Sequence, residues 1–366
     1  MEDVQSSPAN VTSHSLEELA QHLKLSVGTV SRALNGHQSV SRSTRERVRL
    51  AAKATGYTPN PLARGLSGGR SGLVGVLFSH FVNSVTGVFL IQLVKRLEAL
   101  ELRPMIKIGN PLMESNIDII RDFAVMKVEG VIVLGSHLDS DSPTMQPLTQ
   151  AGIPYVSLNF GGPPARAQCV QHDRAAAERE LVGRLLELGH REFALIGFYM
   201  GSYSFISRME GIKQAFKDHG VTGKALLHQF REVREKDEST FDFGYRMARQ
   251  LVEQKTKATA CLAGNDEIAL GAIRYFQSHH IHVPGDISVA GFDNLGFSAH
   301  TTPPITTIDL EIDRTLEMVL DLLTRQIAAP QPLPPAPILV RPSVILREST
   351  GRRPRRRGRL KPGKAP

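Results

Sequence analysis

The stretch "LSVGTVSRALNG", Leu25–Gly36, decides how the N-terminal part of the chain is read. Ser26 stands where a helix cap belongs. Val30 and Leu34 recur on one face, which leaves Val27, Gly28, Thr29, Ser31 and Arg32 to point outward. The spacing therefore predicts a short helix with a small, hydroxyl-bearing outer face and one long donor, Arg32, closed by Asn35 and Gly36.

Its neighbours supply the context. In "HSLEELAQHLK", His14–Lys24, Ser15 and Glu18 stand in a capping-box relation, and Leu16, Leu19, Ala20 and Leu23 recur at helical spacing. In "SRSTRERVRLAAKATGY", Ser41–Tyr57, a second capping box is expected from Ser43 with Glu46. An apolar stripe of Val48, Ala51, Ala52 and Thr55 follows, and Gly56 ends the helix. Three helices with a tight turn between the first two make a helix-turn-helix unit. A small, polar second helix suits the DNA major groove, where short side chains let the backbone approach and arginine can bond guanine O6 and N7 in a fork. Charge agrees: residues 11–71 hold nine Lys/Arg against three Asp/Glu.

The next stretch is "YTPNPLARGLSGGRSGLVGVLF", Tyr57–Phe78. Asn60 can cap a helix that opens on Pro61 and runs to Leu66. Six residues are too few for a stable isolated helix, and Gly65 costs about 1 kcal/mol relative to alanine, so the segment is expected to order only when something holds it.

The run "SLEELAQHLKLSVGTVSRALNGHQSVSRSTRERVRLAAKATGYTPNPLARGL", Ser15–Leu66, resembles the headpiece and hinge of the LacI family of bacterial transcription regulators. The resemblance continues through "LGHREFALIG", "AGNDEIALGAI", "VPGDISVAGFDN" and "TTPPITTIDL", which look like that family's effector-binding core. It implies a DNA-binding surface of Ser26, Val27, Gly28, Thr29, Ser31, Arg32 and Asn35, extended by Tyr57, Asn60, Ala63 and Leu66. In such proteins the leucine matching Leu66 wedges into the minor groove at the central base step.

Length and composition fit two parts. A chain of 366 residues accommodates a small domain and a large two-lobed one. The net charge of +8 is concentrated at the ends: residues 1–71 carry nine cations and five acids, residues 351–366 eight cations and no acid, so the body between them sums to −4. A mildly acidic body argues against a nucleic-acid surface there. Cys169 and Cys261 lie far apart in apolar runs and read as buried free thiols of a reducing compartment. No apolar run approaches the ~20 residues that span a bilayer, and "MEDVQSSPAN" does not resemble a secretory signal, so a cytoplasmic protein is expected.

From Leu73 onward the chain alternates. Apolar runs "GLVGVLF", "RPMIKIG", "GVIVLG", "PYVSLNF", "FALIGF", "TACLAG" and "ISVAGF" are separated by helical stretches such as Val88–Leu100, Ala175–Leu188 and Ile268–Gln277. This predicts parallel sheets covered on both faces by helices. The resemblance implies two doubly wound lobes, similar to type I periplasmic binding proteins, with a cleft between them. In open α/β sheets ligands bind beyond the carboxyl ends of the strands. The candidates there are Asn83, Asn159, Arg208, Asn265 and Asp293, with Asp266 and Asn294 read as ordinary helix caps. Amides, carboxylates and one arginine can satisfy a polyhydroxylated ligand. By resemblance, Arg208, Asn265 and Asp293 are effector contacts and a sugar or sugar derivative is the default effector. Two departures leave its identity open: Asn159 replaces an acid common in sugar-binding members, and the aromatic that stacks on the sugar could be Phe241 or Phe243. A purine, a nucleoside or another small polar metabolite is the alternative.

Other motifs fail on context. "GLSGG", Gly65–Gly69, matches the G-x-S-x-G of hydrolases but precedes a strand instead of following one. "HHIH", His279–His282, lacks partners at zinc spacing. No catalytic group, cofactor or metal site is expected. The Pro-rich run "PQPLPPAP", Pro330–Pro337, leads into a final strand, "ILVRPSVILR". The tail after Gly351 cannot bury a core and carries no leucine heptad, so a homodimer is expected.

The expected organisation is thus a disordered start (1–12), a headpiece (13–58), a hinge (59–71), an effector core (72–350) and a basic tail (351–366). The expected function is a ligand-responsive repressor on a pseudo-palindromic operator in double-stranded DNA. A solute-binding protein of the periplasmic type is the competing class.

Overall fold

Ser15 Oγ accepts a hydrogen bond from the Glu18 amide at 3.1 Å while the Glu18 carboxylate accepts one from the Ser15 amide at 3.3 Å, and this box opens α1, Leu16–Leu23. Such a start satisfies two backbone donors that the helix itself cannot. These details come from a computed structural model, which describes residues 15–34, 36–57, 70–78, 84–110, 113–135, 143–159, 168–199, 202–221, 226–229, 234–235, 237–329 and 338–354. The chain divides into two units, Met1–Gly72 and Leu73–Pro366.

In the first unit, α2 spans Val27–Leu34, its first turn held by the Thr29 amide donating to Ser26 Oγ at 3.2 Å. The third helix, α3, spans Arg42–Thr55 and ends on Gly56 at φ 70°. Its cap is Ser41, whose hydroxyl accepts from the Thr44 amide, and not Ser43. Glu46, freed from the expected box, pairs with Arg49 at 3.1 Å. Leu19, Val30 and Val48, one from each helix, are fully buried and form the centre of a small core with Leu23, Ala33, Val40 and Ala52. The expected hinge helix, with Asn60, Ala63 and Leu66, lies outside the described residues, as do Asn35, Asn83, residues 1–14 and residues 355–366.

The second unit holds two α/β lobes. All seven apolar runs are strands: β1 Leu73–Phe78, β2 Arg103–Ile108, β3 Gly130–Leu134, β4 Tyr155–Asn159, β6 Glu192–Ile196, β8 Ala260–Ala263 and β9 Ser288–Ala290. The described residues hold five more: β5 Cys169–His172, β7 Leu226–Gln229, β10 Thr307–Asp309, β11 Ile338–Val340 and β12 Ser343–Ile345. The N-lobe sheet is parallel, in the order β11-β5-β4-β3-β1-β2, and the C-lobe sheet is parallel, in the order β7-β6-β8-β9. The expected single final strand is two, because Arg341-Pro342 interrupts it and Pro342 has no N–H to donate. Its first half pairs with β5 and its second, antiparallel, with β10.

Helices α4 (Ser84–Ala99), α5 (Ile117–Val125), α6 (Gln146–Gln150) and α11 (Ile312–Ala328) cover the N-lobe sheet. In the C-lobe, α7 (Arg174–Glu187) and α8 (Tyr203–Asp218) cover one face, α9 (Thr240–Glu253) and α10 (Asp266–Ser278) the other. The alternation of strand side chains shows why: Phe193 and Leu195 of β6 enter the α7/α8 core, Ala194 and Ile196 the α9/α10 core. Cys169 and Cys261 are buried and form no disulfide, and burial pushes the Cys261 thiol up to about 12. No helix among the described residues is long and apolar enough to cross a membrane.

The chain passes between lobes three times, at His172–Arg174, Asp309–Ile312 and Val340–Ser343. Polar bonds tie these crossings together. His172 Nε2 and Thr315 Oγ1 lie 3.1 Å apart, Asn294 Nδ2 donates to Asp309 Oδ2 at 2.6 Å, and Ser343 donates to Glu311 at 2.6 Å. Burial and the charge of Arg174 push His172 down to about 3, so its ring is neutral.

Candidate functional site

The headpiece presents one face of α2. Ser26, Val27, Gly28 and Arg32 are exposed, Thr29 and Ser31 are half-buried, and Val30 and Ala33 point into the core. Tyr57 stands apart from this face: it is half-buried and packs against the headpiece core. Gly28 sits mid-face. A Cβ there would find only Arg32 Nη2, at 3.9 Å, so nothing inside the fold requires a glycine. Helical glycine costs about 1 kcal/mol relative to alanine. On an exposed face beside the one long donor, a residue without a Cβ leaves room for close approach to the backbone.

In the core, α4 starts shortly after β1 and α10 directly after β8. The hydroxyl of Ser84 at the head of α4 donates to Glu267 Oε1 at the head of α10. This bond links the carboxyl edges of the two sheets.

Arg208, from α8, is the best-held side chain on this edge, at 4% exposure. Its Nε donates to Glu178 Oε2 at 2.8 Å, Nη1 to the Gly264 carbonyl at 2.8 Å and Nη2 to the Ala263 carbonyl at 3.2 Å. The guanidinium lies between two rings, 4.1 Å from the Phe198 centroid and 4.2 Å from that of Phe292. Buried charge is tolerated only when paired and hydrogen-bonded, and both conditions hold here. Among the described residues, three of its five N–H groups are engaged.

Asp293 lies beside it, buried, at φ 106°, a backbone conformation that residues with a Cβ rarely adopt. Strain of this kind concentrates at functional positions. Burial and the charge of Asp266 raise its carboxyl well above the usual range, against the pull of Arg174 and Arg208. Arg174, the first residue of α7, is also buried, its guanidinium 5.7 Å from the Phe292 centroid, and desolvation lowers it to about 10.

Of Asn265 and Asp266, which follow Gly264 at the end of β8, the cap is Asn265 and not the Asp266 expected. Asn265 is the cap of α10, its Oδ1 accepting from the Ile268 amide at 2.9 Å, and its amide nitrogen has no partner among the described residues. Asp266 is not a cap. It accepts from the Leu295 amide at 2.8 Å and from the Ser298 and Thr307 hydroxyls at 2.6 Å each, and burial still pushes it up to about 6. Asn294 likewise caps nothing: it bridges Asp309 and Arg347. Asn159 ends β4 at the same edge of the N-lobe sheet. The two aromatic candidates separate. Phe243 is buried in the α9/α10 core, while Phe241 is 39% exposed and lies 5.9 Å, centroid to centroid, from Phe297.

Arg174, Glu178, Phe198, Phe292 and Glu267 were not among the residues expected from sequence. A signal existed for the rings, since "LIGF" and "VAGF" both end a strand on Gly-Phe.

Comparison with known proteins matches residues 15–60 to the family of bacterial regulatory proteins of the lacI type, and residues 182–350 to periplasmic binding protein-like domains. The first span contains the exposed face of α2, the second Arg208, Asn265 and Asp293. The chain joins a lacI-family DNA-binding domain to a periplasmic-binding-protein-like domain. Among lacI-family relatives, the HTH-type transcriptional regulator CelR of Thermobifida fusca is 27% identical over 341 residues, covering 91% of this chain and 97% of its own. A solved CelR–cellobiose complex matches with a TM-score of 0.63 at 27% identity, over 92% of this chain and all of that one. A lac repressor dimer bound to operator and the anti-inducer ONPF matches with a TM-score of 0.76 over 92% of this chain and 99% of its own; at 24% identity that likeness is one of fold.

Proposed function

We propose that this lacI-family protein is a sugar-responsive repressor that binds a pseudo-palindromic operator as a homodimer and changes its DNA affinity when a small polyhydroxylated effector enters the cleft. The observation that carries this reading is the pairing, in one chain, of two unrelated devices: a glycine-bearing helix face with one exposed arginine, and a buried cluster of Arg208, Arg174 and strained Asp293 at the strand ends of the core. The first suits a DNA groove and the second a small polar ligand.

Ser26, Val27, Gly28, Thr29, Ser31, Arg32 and Asn35 would face the major groove, with Arg32 bidentate to guanine and the Val27 methyls against thymine. Tyr57, Asn60, Ala63 and Leu66 would extend the interface along the hinge. Asn83, Asn159, Arg208, Asn265 and Asp293 would hold the effector, Asp293 accepting from its hydroxyls and Arg208 and Asn265 donating. Cellobiose in the CelR complex supports a sugar. The dimer is supported by the edge strand β2, which exposes Ile106 and Ile108, and by α4 packed on it, which exposes Ile91; an open apolar edge of this kind calls for a second copy.

The test is a gel shift on DNA from upstream of the protein's own gene and its neighbours, with and without a panel of sugars. A specific complex whose affinity shifts with one sugar supports the reading. Binding of sugar with no affinity for any DNA favours a solute-binding role and sinks it.

A further inference from the structure

Glu267 lies in the first turn of α10, next to Asp266 and two residues from the cap Asn265. Its side chain is buried, at 5% exposure. One oxygen, Oε1, accepts the Ser84 hydroxyl from the opposite lobe. The other, Oε2, is buried and has no hydrogen-bond partner among the described residues. A buried acceptor left unmet carries the full desolvation cost of that atom, so such groups mark places where a partner arrives. Asp293 is near enough that the charge of Glu267 contributes to raising its carboxyl. A carboxylate accepts and does not donate, so whatever satisfies Oε2 must bring an O–H or N–H.

We propose that Glu267 joins effector binding to lobe closure: Oε1 holds Ser84 across the cleft, and Oε2 accepts a hydrogen bond from a hydroxyl of a polyhydroxylated effector seated against Asp293. The proposal rests on the sugar-responsive reading above. When the lobes part, Ser84 is lost and water reaches both oxygens. When they close without effector, Oε2 is stranded. Effector supplies the missing donor only in the closed state, and a ligand shifts a conformational equilibrium by its difference in affinity for the two states.

The test uses the full-length protein, titration calorimetry against cellobiose, glucose and ribose, and small-angle scattering with and without sugar. Glu267→Gln keeps the shape and an acceptor for Ser84 but turns the second arm into a donor facing a donor. Ser84→Ala removes the latch and keeps the acceptor. Asp293→Asn is the control for the site itself. Glu267→Gln is expected to lose sugar affinity by about tenfold or more, and Ser84→Ala by less, with a smaller sugar-induced fall in radius of gyration. Wild-type affinity in Glu267→Gln, where Asp293→Asn has lost binding, overturns the proposal and leaves the cleft reading standing. Equal losses in Glu267→Gln and Ser84→Ala overturn it too, because Glu267 would then act through the latch alone. Should Glu267→Gln not fold, unchanged compaction in Ser84→Ala overturns it. A wild-type protein that binds none of the sugars removes the sugar reading and this proposal with it.

Discussion

Glu178 Oε2 accepts Arg208 Nε at 2.8 Å, and both side chains are buried, at 0% and 4% exposure. The pair joins α7 to α8 and aims the guanidinium at the ends of β8 and β9. Glu178 does not belong to the expected ligand contacts, yet the position of Arg208 depends on it.

Glu178→Gln should therefore act on ligand binding from behind. Breaking one partner of a buried pair leaves the other charge uncompensated, at a cost of about 3 kcal/mol or more. Thermal melts should show that loss, and sugar titrations a weakened response. A melt within error of wild type would mean that Arg208 is held by the Ala263 and Gly264 carbonyls and the two rings alone.

Gly28→Ala should separate folding from DNA binding. With only Arg32 Nη2 within reach of the new methyl, the headpiece should gain up to about 1 kcal/mol. Operator affinity should fall, because the added Cβ stands where the backbone would meet the groove. A more stable variant with unchanged operator affinity would show that α2 does not approach DNA through this position.

The two aromatics of "STFDFGY" make opposite predictions. Phe243→Ala empties a core position and should cost about 3–5 kcal/mol of stability. Phe241→Ala should leave the melting temperature nearly unchanged and weaken sugar binding about fivefold, the scale of a lost ring contact. Equal stability losses at both positions would place Phe241 in the core as well.

The pH dependence follows from Asp266 and His172. Asp266 rises from 3.8 unfolded to about 6 folded, so the folded state holds its proton more tightly, and this group's contribution falls as pH rises from about 4 to 6. His172 drops from 6.5 to about 3, so its contribution is complete above 6.5 and is lost as pH falls toward 3. The two slopes oppose each other between about pH 4 and 6. Denaturant melts of Asp266→Asn in that window should show stability rising with pH more steeply than in wild type. A shallower slope would contradict this assignment.

Much of the architecture was legible in the sequence, for identifiable reasons. The seven strands are apolar runs long enough to show, and Ser15–Glu18 is a local motif that needs no tertiary partner. What stayed hidden depends on partners far along the chain. The three residues of β10, Thr307–Asp309, are no apolar run and become a strand only against β12. Ser41 and Ser43 both precede a helical pattern, and only the backbone of Ser41, extended at ψ 151°, suits a cap. Near the cleft, Asn265 and Asp266 were both read as strand-end polar residues, but which of them caps α10 is decided by Ser298 and Thr307, which claim Asp266. Arg174 gave no signal, since an arginine opening a helix is ordinarily solvated; its burial comes from Phe292 across the lobe.

The central claim is that one chain couples a cleft ligand to DNA. Its most direct test is fluorescence anisotropy of an operator fragment, selected from random DNA by the protein itself, titrated with wild type and Asp293→Ala at increasing sugar. Wild-type operator affinity should change by at least about fivefold with one sugar, the lower end of ordinary allosteric coupling, and Asp293→Ala should show no change. An operator affinity that no sugar moves, or an Asp293→Ala variant that responds like wild type, would contradict the claim.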